Sequence, residues 1–89
     1  MAVARRAVVH GRVQGVFYRD TVRRAAQTRG VAGWATNRDD GTVEVWLEGE
    51  PDAVDSMLRV LNVGSQGAAV ERVDVEDVEP QGLRGFQTR

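Results

Sequence analysis

The chain has 89 residues, with 13 acidic and 12 basic side chains, a formal net charge of −1 and no cysteine. This length predicts one domain, residues 1–89, and the lack of cysteine excludes disulfides, thiolate metal sites and a cysteine nucleophile. Because no apolar run is typical of a signal peptide or of a membrane span, we expect a cytoplasmic protein without a membrane partner.

The first part of the chain predicts a strand followed by a helix. A strand over roughly residues 3–11 places Val3, Ala7 and Val9 on one face. The segment "RDTVRRAAQTRG" then has the spacing of an amphipathic helix, and Gly30 is typical of the position just past a helix C-terminus. The apolar stripe of this helix comprises Tyr18, Val22, Ala25 and Ala26.

A hairpin and a second helix follow. The segment "VAGWATNRDDGTVEVWLEG" predicts two strands joined at Asp39-Asp40-Gly41, a typical hairpin turn. In "EPDAVDSMLRVLN", Pro51 suits a first helical turn and the apolar residues recur at i, i+3, i+4 and i+7. Those residues are Val54, Met57, Leu58 and Leu61. The segments "VERVDVEDV" and "GFQTR" predict a further strand and a short terminal one.

This element order predicts an α+β fold of the ferredoxin-like, split βαβ type. The order is β-α-β-β-α-β, with an antiparallel sheet and two helices packed on one face. The third strand is then expected between the first and the second, and the fourth beside the first. Because the first and second strands run in the same direction, their C-terminal ends meet at one edge of the sheet. We therefore expect the loop after the first strand to lie near Asn37, which ends the second.

The stretch "HGRVQGVFYRDT" holds more chemistry than a strand-to-helix connection needs. Gly11 and Gly15 permit backbone angles that turn successive N–H groups toward one point. The helix start adds free N–H groups and a partial positive charge, and Arg19 adds a planar fork of donors that matches phosphate or carboxylate oxygens. The glycine spacing alone fits an anion-binding loop and a simple turn with a solvated arginine about equally well.

These residues carry a family resemblance over nearly the whole chain. "GRVQGVFYR" resembles the acylphosphatase signature Gly-x-Val-Gln-Gly-Val-x-Phe-Arg, "GWATNRDDGTVEVWLEG" is similar to the second block of that family, and "GFQTR" resembles its closing strand. Tyr18 departs from the pattern, since the family usually has Phe there, and adds a hydroxyl to a packed ring. The resemblance implies hydrolysis of a carboxyl-phosphate mixed anhydride, without metal or cofactor.

The resemblance also implies roles by position. Arg19 matches the arginine that binds phosphate, and Asn37 matches the asparagine that orients the attacking water. The backbone that matches the phosphate cradle comprises Gln14, Gly15, Val16, Phe17, Tyr18 and Arg19. The expected partners are a small-molecule acyl phosphate as substrate and inorganic phosphate as product and inhibitor. No nucleic acid is expected, and nothing demands more than a monomer.

The composition favours the same chemistry independently. One histidine and no cysteine leave few general bases and nucleophiles. An acyl phosphate tolerates this scarcity because its carboxylate departs without an acid to protonate it, so that positioning and charge stabilisation are sufficient. Asn37 has a carbonyl that can accept from water and an amide that can donate to phosphate. Without the resemblance, Asn37 would be interpreted as a turn residue.

Two other functions are compatible with the element order. RNA-recognition domains share it, and residues 1–38 contain eight arginines against one acid. The strand "TVEVWLEG", however, has one Trp among glutamates, which repel a phosphate backbone. A non-catalytic, anion-sensing domain would keep the loop, but the presence of both Arg19 and Asn37 argues against it.

The remaining candidates are interpreted as structural. His10 is expected at a strand edge, and Trp34 and Trp46 in the core or on the sheet surface. The two acidic clusters lack the spacing of a metal site and are expected to be exposed; they are Glu48/Glu50/Asp52 and Glu76/Asp77/Glu79.

Overall fold

A computed structural model describes the whole chain, residues 1–89. It contains five strands and two helices in the predicted order, including the short terminal strand. The elements are β1 (Val3–Arg12), α1 (Tyr18–Arg29), β2 (Ala32–Asn37), β3 (Val43–Gly49), α2 (Pro51–Val63), β4 (Ala69–Val78) and β5 (Phe86–Thr88).

The five strands form one sheet in the order β4-β1-β3-β2-β5. The pairs β1–β3, β1–β4 and β2–β3 are antiparallel, which confirms the predicted arrangement of the first four strands. β5 pairs with β2 in parallel, a position for which the sequence made no prediction. In the register, Val43 of β3 lies opposite both Val9 of β1 and Asn37 of β2, so that the C-terminal ends of β1 and β2 meet at one edge.

One face of the sheet is covered by both helices, which share a single apolar core with it. Tyr18, Val22 and Ala26 of α1 are buried, as the helical stripe predicts, and α2 contributes Val54, Met57 and Leu61. The sheet residues of this core include Ala7, Val9, Ala35, Val43, Val45 and Leu47. Each fully buried Val, Leu or Met contributes about 1.5–3 kcal/mol. The loops at the edge of the sheet are therefore attached to a well-packed core.

The other face of the sheet is open and carries aromatic and charged side chains. The rings of Trp34 and Trp46 stack with centroids 6.2 Å apart, and the Arg89 guanidinium lies 4.9 Å from the centre of the Trp34 ring. Arg6 forms ion pairs with Glu44 and with Glu76. The two tryptophans are thus sheet residues, as expected.

Glu48 is a correction to the sequence prediction, which expected it exposed. It is only 5% exposed. Its carboxylate accepts hydrogen bonds from the Trp46 indole at 3.0 Å and from the backbone N–H groups of Gln81, Gly82 and Leu83 at 2.7–3.0 Å. Burial raises the pKa of this carboxyl, but the four hydrogen bonds outweigh it and the net direction is downward. Glu48 therefore anchors the segment that leads from β4 to β5.

Candidate active site

An open cavity of about 290 Å³ lies at the edge where β1 and β2 end. Its lining residues come from the loop after β1, the first turn of α1, the end of β2 and β5: Val13, Gly15, Phe17, Tyr18, Arg19, Asp20, Asn37 and Thr88. The structure thus brings Arg19 and Asn37 to one cavity, as the shared strand ends predicted. Gln14 and Val16 do not line it, although their backbone belongs to the same loop.

The loop between β1 and α1 presents a run of free backbone donors. None of the N–H groups from Gln14 to Arg19, the 14–19 loop, makes a hydrogen bond within the chain. The first helical bond of α1 is donated by Thr21 to the Phe17 carbonyl, at 3.0 Å. Consecutive free N–H groups at a helix N-terminus form a site for an anion, because the helix dipole adds partial positive charge there. This arrangement is the one that Gly15 and the helix start predicted.

Two residues of the 14–19 loop have a positive φ. Gly15 has φ 72°, which glycine adopts without strain. Phe17, at the N-cap of α1, has φ 60° and ψ 21°, and this left-handed conformation costs a non-glycine residue about 1–2 kcal/mol. Gly11 has a different role from the one expected. It lies within β1 at a bulge, where an added Cβ would meet the Ala69 carbonyl oxygen of β4 at 2.2 Å.

Arg19 is oriented by the end of the chain. Its Nη1 donates to the main-chain carbonyl oxygen of Arg89 at 2.6 Å, and it forms no ion pair with an Asp or Glu side chain. The remaining donors of the guanidinium are therefore free for an anion in the cavity.

The other arginines of the N-terminal half contrast with Arg19, because most of them are paired. Arg5 pairs with Asp77 on β4, and Arg23 and Arg24 both pair with Asp20. The Arg23 hydrogen bond lowers the pKa of Asp20. Asp20 thus lines the cavity as an ionised carboxylate whose charge is compensated by arginines. The charge asymmetry of the sequence is thus largely cancelled within the fold, and one arginine remains available at the cavity.

Asn37 stands at the last position of β2, before a turn that is satisfied internally. Arg38 N donates to the Thr42 carbonyl at 2.8 Å, and Gly41 N donates to the Arg38 carbonyl at 3.1 Å. The Asp40 carboxylate accepts from the Thr42 hydroxyl and N–H, and these bonds lower its pKa. The Asn37 amide makes no hydrogen bond of its own within the chain. The turn is therefore a rigid support for one free amide.

The side chain of Gln14 joins the two halves of the site. Its amide donates to the Arg38 carbonyl at 2.8 Å and to the Thr42 carbonyl at 3.0 Å. The sequence assigned only the backbone of Gln14 to the site and missed this contact. The sequence did contain a signal for this contact: Gln14 is a polar residue with an amide donor, and its neighbours from Val13 to Phe17 are glycine or apolar.

The loop after α2 supports the 14–19 loop from the other side. The Ser65 hydroxyl donates to the Val16 carbonyl at 2.6 Å. The Tyr18 hydroxyl donates to the Leu61 carbonyl at 2.7 Å, and burial raises its pKa. Tyr18 thus serves as a packed ring with a satisfied hydroxyl, as expected. Gly64 is required here, because a Cβ on it would lie 2.9 Å from the Tyr18 ring.

The other single-residue candidates lie away from the cavity or form no metal site. His10 Nε2 lies 3.0 Å from the Asp74 carboxylate and faces Arg72 at the β1–β4 edge. No group of three or more His, Cys, Asp or Glu side chains has the arrangement of a metal site. Neither helix has the length and apolar character needed to cross a lipid bilayer.

The fold and the cavity define a small α+β protein with free backbone donors and an arginine at one edge of its sheet, and comparison with known proteins identifies its family. The acylphosphatase family model matches residues 5–88. The chain belongs to the acylphosphatase family. It is a hydrolase that acts on acyl phosphates.

Individual relatives agree with this assignment. The chain is 51% identical over 81 residues to the acylphosphatase of Haloquadratum walsbyi, covering 91% of this chain and 87% of the relative. It is 50% identical to that of Rubrobacter xylanophilus, covering 94% of this chain and 77% of the relative. The crystal structure of acylphosphatase from Bacillus subtilis superposes with a TM-score of 0.95 at 36% identity, covering 98% of both chains.

Proposed function

We propose that the 14–19 loop and Arg19 bind the phosphoryl group of an acyl phosphate and that Asn37 orients the attacking water. The observation that carries this proposal is one cavity that combines three features. It has consecutive backbone N–H groups with no acceptor in the chain, an arginine with no Asp or Glu partner, and a free amide on the same lining. Backbone N–H groups and an arginine fork are the donors that stabilise a transferring phosphoryl group.

The reaction needs no covalent contribution from the protein. A bond forms between the water oxygen and phosphorus, while the bond from phosphorus to the bridging acyl oxygen breaks. The bonding electron pair leaves with the carboxylate, and both protons of the water remain on the inorganic phosphate, which then equilibrates with solvent. Because the carboxylate is a weak base, the leaving oxygen needs no protonation, and the protein stabilises charge on the phosphoryl oxygens.

Asn37 acts by orientation in this scheme. Its carbonyl accepts from the water and its amide donates to a phosphoryl oxygen, so that the water approaches phosphorus in line with the leaving group. An asparagine cannot deprotonate water. The ring of His10, engaged with Asp74 and Arg72, lies outside the cavity lining.

The same proposal covers the setting of the reaction. Residues 1–89 act as one cytoplasmic domain and as a monomer, without metal or cofactor. Asp20, the carboxylate that lines the cavity, is engaged by arginines and is thus a poor metal ligand. No RNA partner is proposed, since Arg89 covers the half-buried Trp34 ring and glutamates flank the Trp46 ring on β3.

The test is hydrolysis of benzoyl phosphate by the purified protein with excess chelator present. We expect turnover unchanged by the chelator and competitive inhibition by inorganic phosphate. Loss of turnover with the chelator would contradict metal independence. Turnover without phosphate inhibition would contradict the proposed cradle. Phosphate binding without turnover would favour the anion-sensing alternative.

A further inference from the structure

The ring of Phe17 is a large apolar group that the fold leaves outside its core. The residue is 82% exposed. Its backbone has the left-handed conformation, with φ 60°, and no side-chain hydrogen bond caps the helix there. The exposed ring gains no free energy from burial, and the backbone strain costs free energy. A strained residue that gains nothing from internal packing points to a role outside the fold.

A second groove begins at Phe17. It encloses about 590 Å³ and is lined by residues 15–17, Thr21 and residues 65–67. Gly15 and Phe17 line both this groove and the central cavity, so the two spaces adjoin at these residues. The groove contains no ionisable side chain, and Val16 and Phe17 supply its apolar surface. The hydroxyl of Ser65 fixes the far wall to the 14–19 loop through the Val16 carbonyl.

The Asn37 side of the central cavity is chemically different. There Asn37 lines a further hollow with Arg38, Asp39 and Asp40, which contains no apolar residue and two carboxylates. In phosphoryl transfer the attacking and leaving oxygens lie on opposite sides of phosphorus. A water held at Asn37 therefore requires the leaving acyl group to point away from the acidic side. The groove at Phe17 shares no lining residue with that side.

We propose that the groove between Phe17 and residues 65–67 binds the acyl group of the substrate and selects uncharged, apolar acyl groups larger than acetyl. This inference rests on the proposed function, because it requires the phosphoryl group in the 14–19 loop. The Phe17 ring gives an aromatic or long-chain acyl group a surface to pack against, and the lack of charge disfavours an acyl group with a second carboxylate.

The test compares benzoyl phosphate with acetyl phosphate in Phe17→Ala. Alanine keeps the Cβ and hence the same backbone preference at φ 60°, so the variant removes the ring alone. We expect the ratio of kcat/KM for benzoyl over acetyl phosphate to fall about tenfold, mainly through a higher KM for benzoyl phosphate. The inhibition constant of inorganic phosphate reports the cradle separately and should move less than this ratio.

Gly67→Leu tests the opposite wall. A Cβ at Gly67 meets Val16 at 3.4 Å without a strained φ, so leucine fills the groove and should lower the same ratio. Val63→Ala is the matched control, because Val63 is 77% exposed but lines neither space, and its ratio should stay at the wild-type value. An unchanged ratio in both Phe17→Ala and Gly67→Leu would overturn the acyl site. Wild-type protein that hydrolyses neither substrate would instead overturn the proposed function, and the acyl site with it.

Discussion

Two loops meet at the edge of the sheet, and they differ in whether their backbone groups find hydrogen-bond partners within the chain. The turn from Arg38 to Thr42 satisfies its groups internally, through two backbone bonds and the Asp40 carboxylate. The 14–19 loop leaves its N–H groups without acceptors in the chain and holds Phe17 in a strained conformation. The turn therefore supports a side chain, whereas the 14–19 loop leaves its backbone donors free.

This difference separates binding from orientation in the proposed site. Free N–H groups and Arg19 supply positive potential for a phosphoryl group, while the rigid turn holds the Asn37 amide at a defined position. The Gln14 side chain couples the two loops. Changes on the loop, on the turn and on their link should accordingly affect different measurements.

Arg19→Ala should have the largest effect. It removes the charged donor from the binding side, and loss of one such donor typically costs about 10²- to 10³-fold in rate. We expect kcat/KM for benzoyl phosphate to fall by that factor and phosphate inhibition to weaken strongly, as measured by steady-state kinetics. Arg24→Ala is the control, since Arg24 lies outside the cavity lining and its partner Asp20 keeps the ion pair with Arg23. Equal losses in both variants would mean that general positive charge, rather than the Arg19 position, drives binding.

Asn37→Ala should separate orientation from binding. The variant leaves the 14–19 loop and Arg19 intact, so phosphate should inhibit it nearly as well as the wild type. Turnover should fall about 10²-fold, because the water is no longer held in line with the leaving group. The pair of measurements is kcat and the phosphate inhibition constant. If both change to the same extent, Asn37 is a binding residue and the contrast between the loops fails.

Gln14→Ala tests the link between the loops. The Arg38 and Thr42 carbonyls each keep one backbone bond, so we expect a modest loss of stability, about 1 kcal/mol. Turnover should fall about tenfold, because Asn37 and the 14–19 loop can then shift relative to each other. Gln81→Ala is the matched control, since the Gln81 side chain makes no hydrogen bond. Wild-type turnover in Gln14→Ala would show that each loop is rigid by itself.

Glu48→Gln should affect stability more than activity. The glutamine amide faces backbone donors in place of a carboxylate oxygen, which should lower the free energy of unfolding by about 1–3 kcal/mol. Turnover at neutral pH should change less than in Gln14→Ala, because Glu48 lies outside the cavity lining. Chemical denaturation measures the first quantity. Glu50→Gln is the exposed control and should change stability by less than about 0.5 kcal/mol.

The pH dependence of stability in the wild type and in Glu48→Gln provides a further test. The hydrogen bonds to Glu48 lower its pKa in the folded state below the ordinary value of 4.5. Its contribution to stability is therefore present above pH 4.5 and is lost as the pH falls through the folded-state pKa. Between pH 7 and pH 3 the wild type should lose more stability than Glu48→Gln. Parallel losses in the two proteins would show that the carboxylate charge is not what the backbone donors stabilise.

The local patterns of the sequence determined the element order and the chemistry of the edge. Period-two alternation, helical spacing and the Asp-Gly turn are properties of neighbouring residues, so they predicted the first four strands and both helices. The order then implied that Asn37 lies near the loop after β1, which the shared cavity confirms. The motif around Arg19 indicated the family, because its residues meet local requirements of that segment of the chain.

Only the tertiary structure decided which charged and polar groups are partnered. Glu48 alternates with apolar residues and was expected in solvent, yet backbone N–H groups more than thirty residues away enclose it. Arg5 and Arg23 contribute to a basic stretch in the sequence but are paired in the fold, whereas Arg19 faces the cavity. The spacing of residues along a chain determines on which face of a strand or helix a side chain lies. The partner that satisfies it is set by packing between distant segments, which local periodicity does not encode.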